Sequence, residues 1–485
     1  YNAMAASAAA LGANAGAAPL SINFNGPTQH SADHQPCNHC GNCVIGCHSG
    51  AKGSLNMNAW PLARQLGASL FTGIRVRTIN ERTDGQWVIE CVPSAASEEL
   101  VRVVASTVVL AAGTLGSTEI LQRSSEQHGL RVSDTLGKKF SLNGDALVAA
   151  TGQRQKVSDL ASIPGELPAK TRPGPTISGM AAIKLVPGSL ADNEPAFKQL
   201  VRLEDARVPY PLHQIWQEMI VSQTLLSRFA DGEVSAWHSM HPAHDPLAIS
   251  DNLAEHSQTL LVMGHDDASG QLRWQNDAVK PDWQRTQGDY FERLNNTLFE
   301  DQRRVFDGGL FSPNIISQPV PDGFAGIVEG ADGLTGNLLS VHPLGGCCMA
   351  ESVDQGVVNA RGQVFRLDNT HGDSCAVYNN LYVLDGSIIP GAIGTNPMLT
   401  IASLSYALAT EISLCLPGAQ DDPNLIKRQT QCEANSFPAL TMFRSIPAGV
   451  RWPIPEADAQ KVEARFNERL VCHLDTQKRS VFPWS

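Results

Sequence analysis

Three runs of alternating apolar and polar residues, 69–79 (SLFTGIRVRTI), 87–92 (WVIECV) and 100–105 (LVRVVA), follow one another closely. A period of two predicts strands, and Asp84-Gly85 supplies a turn between the first two, so the segment reads as a β-meander. The pattern then changes. Residues 107–112 (TVVLAA) are continuously apolar and β-branched, the mark of a strand buried on both faces of a parallel sheet. They run into the glycine-rich turn 113–118 (GTLGST) and the amphipathic stretch 119–123, which predicts strand, turn and helix. That order aims backbone N–H groups and a helix N-terminus at a phosphate, although such turns are common in α/β proteins. A second apolar strand is expected at 381–384, and a long apolar helix over 398–416. Shorter helices are expected within the Ala-rich start, over 56–67, and over 457–470.

Between about residues 150 and 330 the texture differs, with many Pro, Trp, Asp and His, short alternating segments and no glycine-rich turn. This predicts a separate, mainly antiparallel domain. The expected division is 1–150, 151–335, a return to the first domain over 336–416, and a C-terminal extension over 417–485. The fold class is α/β, a Rossmann-like parallel sheet beside a second, mainly antiparallel α+β domain.

Composition narrows the function. A net charge of −12 over 485 residues argues against nucleic acid as the main partner, since phosphate binding needs basic patches. No apolar run reaches the length of a transmembrane helix, and the Ala-rich start lacks the basic leader of a secretory signal. Eleven Cys, four clustered and the rest scattered or adjacent, do not form a disulfide framework, so a reducing, cytoplasmic setting is expected.

The four clustered cysteines, Cys37, Cys40, Cys43 and Cys47, have the spacing CxxCxxCxxxC. Thiolates so spaced can converge on one soft metal centre, and bacterial ferredoxins use this run for an iron–sulfur cluster of 4Fe–4S type. Here His48 stands where such runs usually carry Pro. A zinc knot, a disulfide-tied loop and a metal-free loop are the alternatives.

Residues 340–349 (SVHPLGGCCM) and 381–399 (LYVLDGSIIPGAIGTNPML) together resemble the C-terminal signatures of the glucose–methanol–choline (GMC) flavin oxidoreductases, above all the cholesterol-oxidase-like branch. Residues 47–63, 108–124 and 136–145 resemble further family segments, in the family's order. The resemblance implies FAD and oxidation of an alcohol. It puts His342 and Asn396 in the active site, His342 as the base and Asn396 orienting the substrate oxygen. The chemistry agrees, since a neutral imidazole suits removal of a hydroxyl proton and an amide can bond the developing carbonyl oxygen. By the same resemblance Val76, Gly113, Ser117, Asn143, Gly144, Asp385, Gly386, Asn396 and Pro397 are cofactor-binding. The paired Cys347 and Cys348 are expected to fill space beside the active-site loop.

The family's opening strand, GxGxxG turn and acidic residue, which bind the ADP half of FAD, have no match here. The chain is therefore expected to bind FAD poorly alone, with a second chain or a missing N-terminal segment completing the site. The family's extra pocket carboxylate has three candidates, Glu204, Glu218 and Glu233. The expected substrate is a fairly apolar alcohol, sterol-like or long-chain, with electrons passing to a cluster and an acceptor protein, or to oxygen. The alternative is a non-catalytic or partial subunit of a larger flavoprotein.

Overall fold

The computed structural model describes residues 2–25, 34–57, 59–65, 67–94, 100–150, 157, 161, 173–185, 196–216, 218, 257–283, 289–295, 310–311, 340–367 and 375–415. The expected helix over 457–470 and the whole extension after 415 lie outside them. Among the described residues, no helix is long and apolar enough to cross a membrane.

The meander forms as the alternation predicts: β2 (Ile74–Glu81), β3 (Trp87–Pro93) and β4 (Val101–Ala105) pair antiparallel in that order. The first strand starts at Ile74 rather than at 69, because Gly73 takes a positive φ of 72° and turns the chain there. Ile79 on β2 and Trp87 on β3 point inward and are fully buried.

The continuous apolar run forms β5 (Val108–Leu110), parallel to β14 (Val377–Val383), which in turn pairs antiparallel with β13 (Gln363–Phe365). β5 leads directly into α3 (Gly113–His128). The helix buries Thr114, Ser117, Thr118, Leu121 and Ser124, the i, i+3, i+4, i+7 spacing of one face. It ends where Gly129 adopts the left-handed conformation and its N–H reaches the last-turn carbonyls of Ser124 and Ser125. Val108, Leu110, Leu121, Leu381, Val383 and Leu408 share the core between this sheet and the helices. Leu408 comes from the C-terminal helix, Met398–Cys415, which stands close to its expected bounds.

A second core lies under a six-stranded sheet of order β1-β7-β8-β9-β6-β12. Its strands are β1 (Ala15–Ala17), β6 (Ala146–Ala150), β7 (Gly179–Lys184), β8 (Leu200–Ala206), β9 (Gln258–Gly264) and β12 (Leu310–Phe311), paired antiparallel throughout. Two of them, β1 and β6, come from before residue 151, so this sheet draws on chain from both sides of that position. The helix Asn2–Ala10 contributes Met4 and Ala8 to this core, and the helix Tyr290–Asn295 contributes Tyr290, Phe291 and Leu294. The expected helix over 56–67 is shorter, Ala59–Gln65.

Candidate active site

The motif at 340–349 is threaded between two other motifs. On one side Leu344 exchanges backbone hydrogen bonds with Ser141, at 2.9 Å each way. On the other, Gly345, Cys347 and Met349 donate to the carbonyls of Gly386, Ser387 and Ile388. Gly345 (φ 82°) could not carry a side chain, because a Cβ would stand 2.0 Å from the Lys139 carbonyl oxygen. Thr114 of α3 closes the stack by donating its hydroxyl to Pro343 O at 2.8 Å. Close backbone approach of this kind explains the glycine pair in the motif.

His342 emerges at the start of that thread. Its Nδ1 lies 3.0 Å from Oδ1 of Asp145, a residue whose side chain is only 2% exposed. The other carboxylate oxygen accepts from Val341 N at 2.8 Å and lies 3.1 Å from Ser340 Oγ. Asp145 is not singled out by the sequence, although it ends the family-like segment 136–145.

Asn396 sits just before the C-terminal helix, whose Ile401 N–H bonds Pro397 O. Its Nδ2 donates to Oε2 of Glu204 on β8 at 3.3 Å. Of the three carboxylates the sequence leaves open, Glu204 is the one bonded to Asn396. Glu218 instead is exposed and accepts from Gln214, and Glu233 lies outside the described residues. Burial pushes the Glu204 carboxyl above the ordinary range, against the pull of Asn396, Arg202 and His342. The influence of His342 puts both groups of the expected pair within electrostatic reach of one carboxyl.

The expected cofactor residues fall into two groups. Gly113, Ser117, Asp385 and Gly386 come together at the N-terminus of α3. Asp385 Oδ2 accepts from Gly113 N at 2.9 Å and from the Ser117 hydroxyl at 2.5 Å, while Oδ1 accepts from Ser387 N and Oγ. Gly113 has a φ of 78° and open space where a Cβ would stand, and the neighbouring Ala111, Ala112 and Leu115 are exposed. The N–H groups of the first helical turn have no acceptor within the helix. An open turn with such donors fits the ribityl–diphosphate part of a dinucleotide. Val76 lies at a bend of β2 where its register against β3 shifts.

Asn143 and Gly144 are fully committed within the protein. The Asn143 amide accepts from Ile393 N and Gly394 N and donates to Thr395 O. Gly144 donates to Asp266 and accepts from the Tyr290 hydroxyl. Their side-chain and backbone groups thus build the site rather than face an open turn.

Cys37, Cys40, Cys43 and Cys47 are free, half-buried thiols on a loop pinned by Cys43 N–Thr176 Oγ1 and Tyr210 N–Asn42 Oδ1 to the chain just before β7 and just after β8. Among the described residues no group of three or more His, Cys, Asp or Glu is placed to hold a metal ion. Burial, opposed by a bond from His39 N–H, raises the Cys37 thiol, and the other three cysteines add to the rise. Burial also acts to raise Cys47, but bonds from Ser49, Lys52 and Ala51 outweigh it and lower that thiol. Cys347 and Cys348 are free and buried, pushed up by burial to about 12 and about 11, and so serve as packing groups rather than nucleophiles.

Models of the N- and C-terminal parts of the GMC oxidoreductases match residues 14–143 and 278–405, together just over half of the chain. A cholesterol oxidase of Acinetobacter baumannii is 23% identical over 400 residues, 79% of this chain and 61% of that protein. A long-chain-alcohol oxidase of Arabidopsis thaliana is 22% identical over 413 residues, 81% of this chain and 47% of that protein. The chain thus spans about three fifths or less of the length of these relatives. Among solved structures, pyridoxine 4-oxidase from Mesorbium loti aligns over 71% of this chain and 58% of its own, with 18% identity and a TM-score of 0.40.

Proposed function

This chain belongs to the GMC oxidoreductase family, and from that premise we propose that it is the greater part of an FAD-dependent enzyme oxidising the CH–OH group of an apolar alcohol. The observation that carries this is that Asp145 holds His342 while Glu204 holds Asn396 and also feels the imidazole of His342, a set drawn from four separate segments. Residues with no use in a structural shell are kept together and oriented.

In the proposed reaction His342 accepts the hydroxyl proton. Asn396 orients the substrate oxygen and bonds it as carbonyl character develops. Glu204 fixes the Asn396 amide from behind. Gly113, Ser117, Asp385 and Gly386 would hold FAD at the α3 turn, with Val76 and Pro397 as further contacts. Bound FAD would supply the acceptor for the carbinol hydride. A sterol or long-chain alcohol is the proposed substrate class, as the names of the relatives suggest.

As folded, the four clustered thiols do not fit an iron–sulfur cluster, so the proposed reaction has no step through one. An iron assay on anaerobically purified protein tests that directly.

Completion of the flavin site by further polypeptide is part of the proposal. Among the described residues β5 is the edge of its sheet, with Val109 43% exposed, so it can accept another strand.

The test is His342→Ala in FAD-loaded protein, mixed anaerobically with cholesterol or a long-chain alcohol. Flavin reduction should slow by on the order of 10²–10⁴-fold. An unchanged rate would sink the proposal, and would favour the non-catalytic subunit.

A further inference from the structure

Asp145 lies beside His342, at the end of the segment 136–145. It is buried, and among the described residues its carboxylate bonds no Lys or Arg, taking its hydrogen-bond partners from the one short segment 340–342. Oδ2 takes Val341 N–H and the Ser340 hydroxyl, which it shares with Leu142 O, while Ser340 Oγ also receives His342 N–H. Oδ1 is left for the imidazole alone. Such a carboxylate is expensive to bury, and Val341 N–H and the Ser340 hydroxyl hold one oxygen while the other faces the ring nitrogen.

We propose that Asp145 is the positioning residue of His342, holding its proton on Nδ1 so that Nε2 is the free acceptor for the substrate hydroxyl. An ionised carboxylate can only accept, so the bond at 3.0 Å requires Nδ1–H. The ring orientation follows, because the two ring nitrogens are distinct once one is bonded. When the imidazole takes up the alcohol proton at Nε2, the same carboxylate balances the new positive charge without moving. The proton leaves the hydroxyl oxygen and the new bond is Nε2–H. The hydride goes to bound FAD, the acceptor already named. This rests on His342 being the base.

Two measurements separate the two ideas. Selective ¹⁵N-histidine labelling of the full chain, with His342→Gln to identify the signal, reads the tautomer whether or not FAD is bound. The wild-type chain should show an Nδ1–H signal for His342, and Asp145→Asn should lose or displace it. In FAD-loaded protein turning over cholesterol, Asp145→Asn should lower kcat by on the order of 10²-fold with KM within about twofold. An Nε2–H tautomer in the wild-type chain overturns the proposal without any variant having to fold. So does an Asp145→Asn protein with the signal and kcat of the wild type while His342→Ala is inactive. If instead His342→Ala stays active while the tautomer depends on Asp145, the pairing stands and the base assignment falls.

Discussion

Asn143 and Asp145 are separated by one glycine, yet their side chains anchor two different loops. Asn143 takes Ile393 and Gly394 N–H and gives to Thr395 O, fixing the loop that ends in Asn396, while Asp145 takes the ring of His342. Three consecutive residues therefore set the spacing of the two groups proposed to handle the substrate oxygen.

Truncating Asn143 to Ala should orphan two half-buried N–H groups and a carbonyl, and place Ala at a positive φ of 57° that Asn tolerates better. The expected loss is about 1–3 kcal/mol of stability per uncompensated group at most, read as a lower denaturant midpoint. A midpoint equal to the wild type would mean the 393–395 loop holds itself.

Gly144→Ala should be worse than its size suggests. The new methyl would lie 2.6 Å from Gly264 O, a backbone atom, and the residue has a φ of 63°. Backbone cannot yield as a side-chain tip does, so little soluble folded protein is expected, judged by near-UV circular dichroism.

For Asp385→Asn the donors decide. Both oxygens of Asp385 now receive two donors each, whereas an amide presents only one acceptor and aims N–H at the other pair. The start of α3 should loosen by about 1–3 kcal/mol, and flavin content after gel filtration should fall with it. Undiminished flavin would remove this turn from the proposed binding site.

Glu204 carries the pH dependence. Burial raises its carboxyl above the ordinary 4.5, so the folded state holds this proton more tightly than the unfolded chain. Its contribution is therefore fully present below pH 4.5 and is lost as pH rises through the folded value. Glu204→Gln should gain on the wild type in thermal stability as pH climbs through that window. A difference between the two melting curves that does not change with pH would show that Glu204 is solvated.

Several elements were legible because their cause is local. The alternation at 69–79, 87–92 and 100–105 announces the meander that forms over 74–81, 87–93 and 101–105, and the apolar run before Gly113 announces β5 and α3. The glycines of 345–346 announce close backbone contact, and His342 and Asn396 were singled out from their motifs. Asp145 and the choice of Glu204 were not legible, since each acts on a residue 192 to 197 positions away. The cysteine run shows the opposite limit: its spacing allows a metal centre, while the folded loop spends its bonds on Thr176 and Tyr210.

By itself the sequence determined the kinds of element, the family and the two groups suited to oxidising an alcohol, because periodicity and motif chemistry are properties of neighbouring residues. Only the tertiary structure decided which carboxyl backs Asn396, which one aims His342, and that Asn143 builds the site from inside. Hydrogen bonds reach only about 3 Å, so these partnerships exist only once strands and loops distant in the chain have been packed side by side.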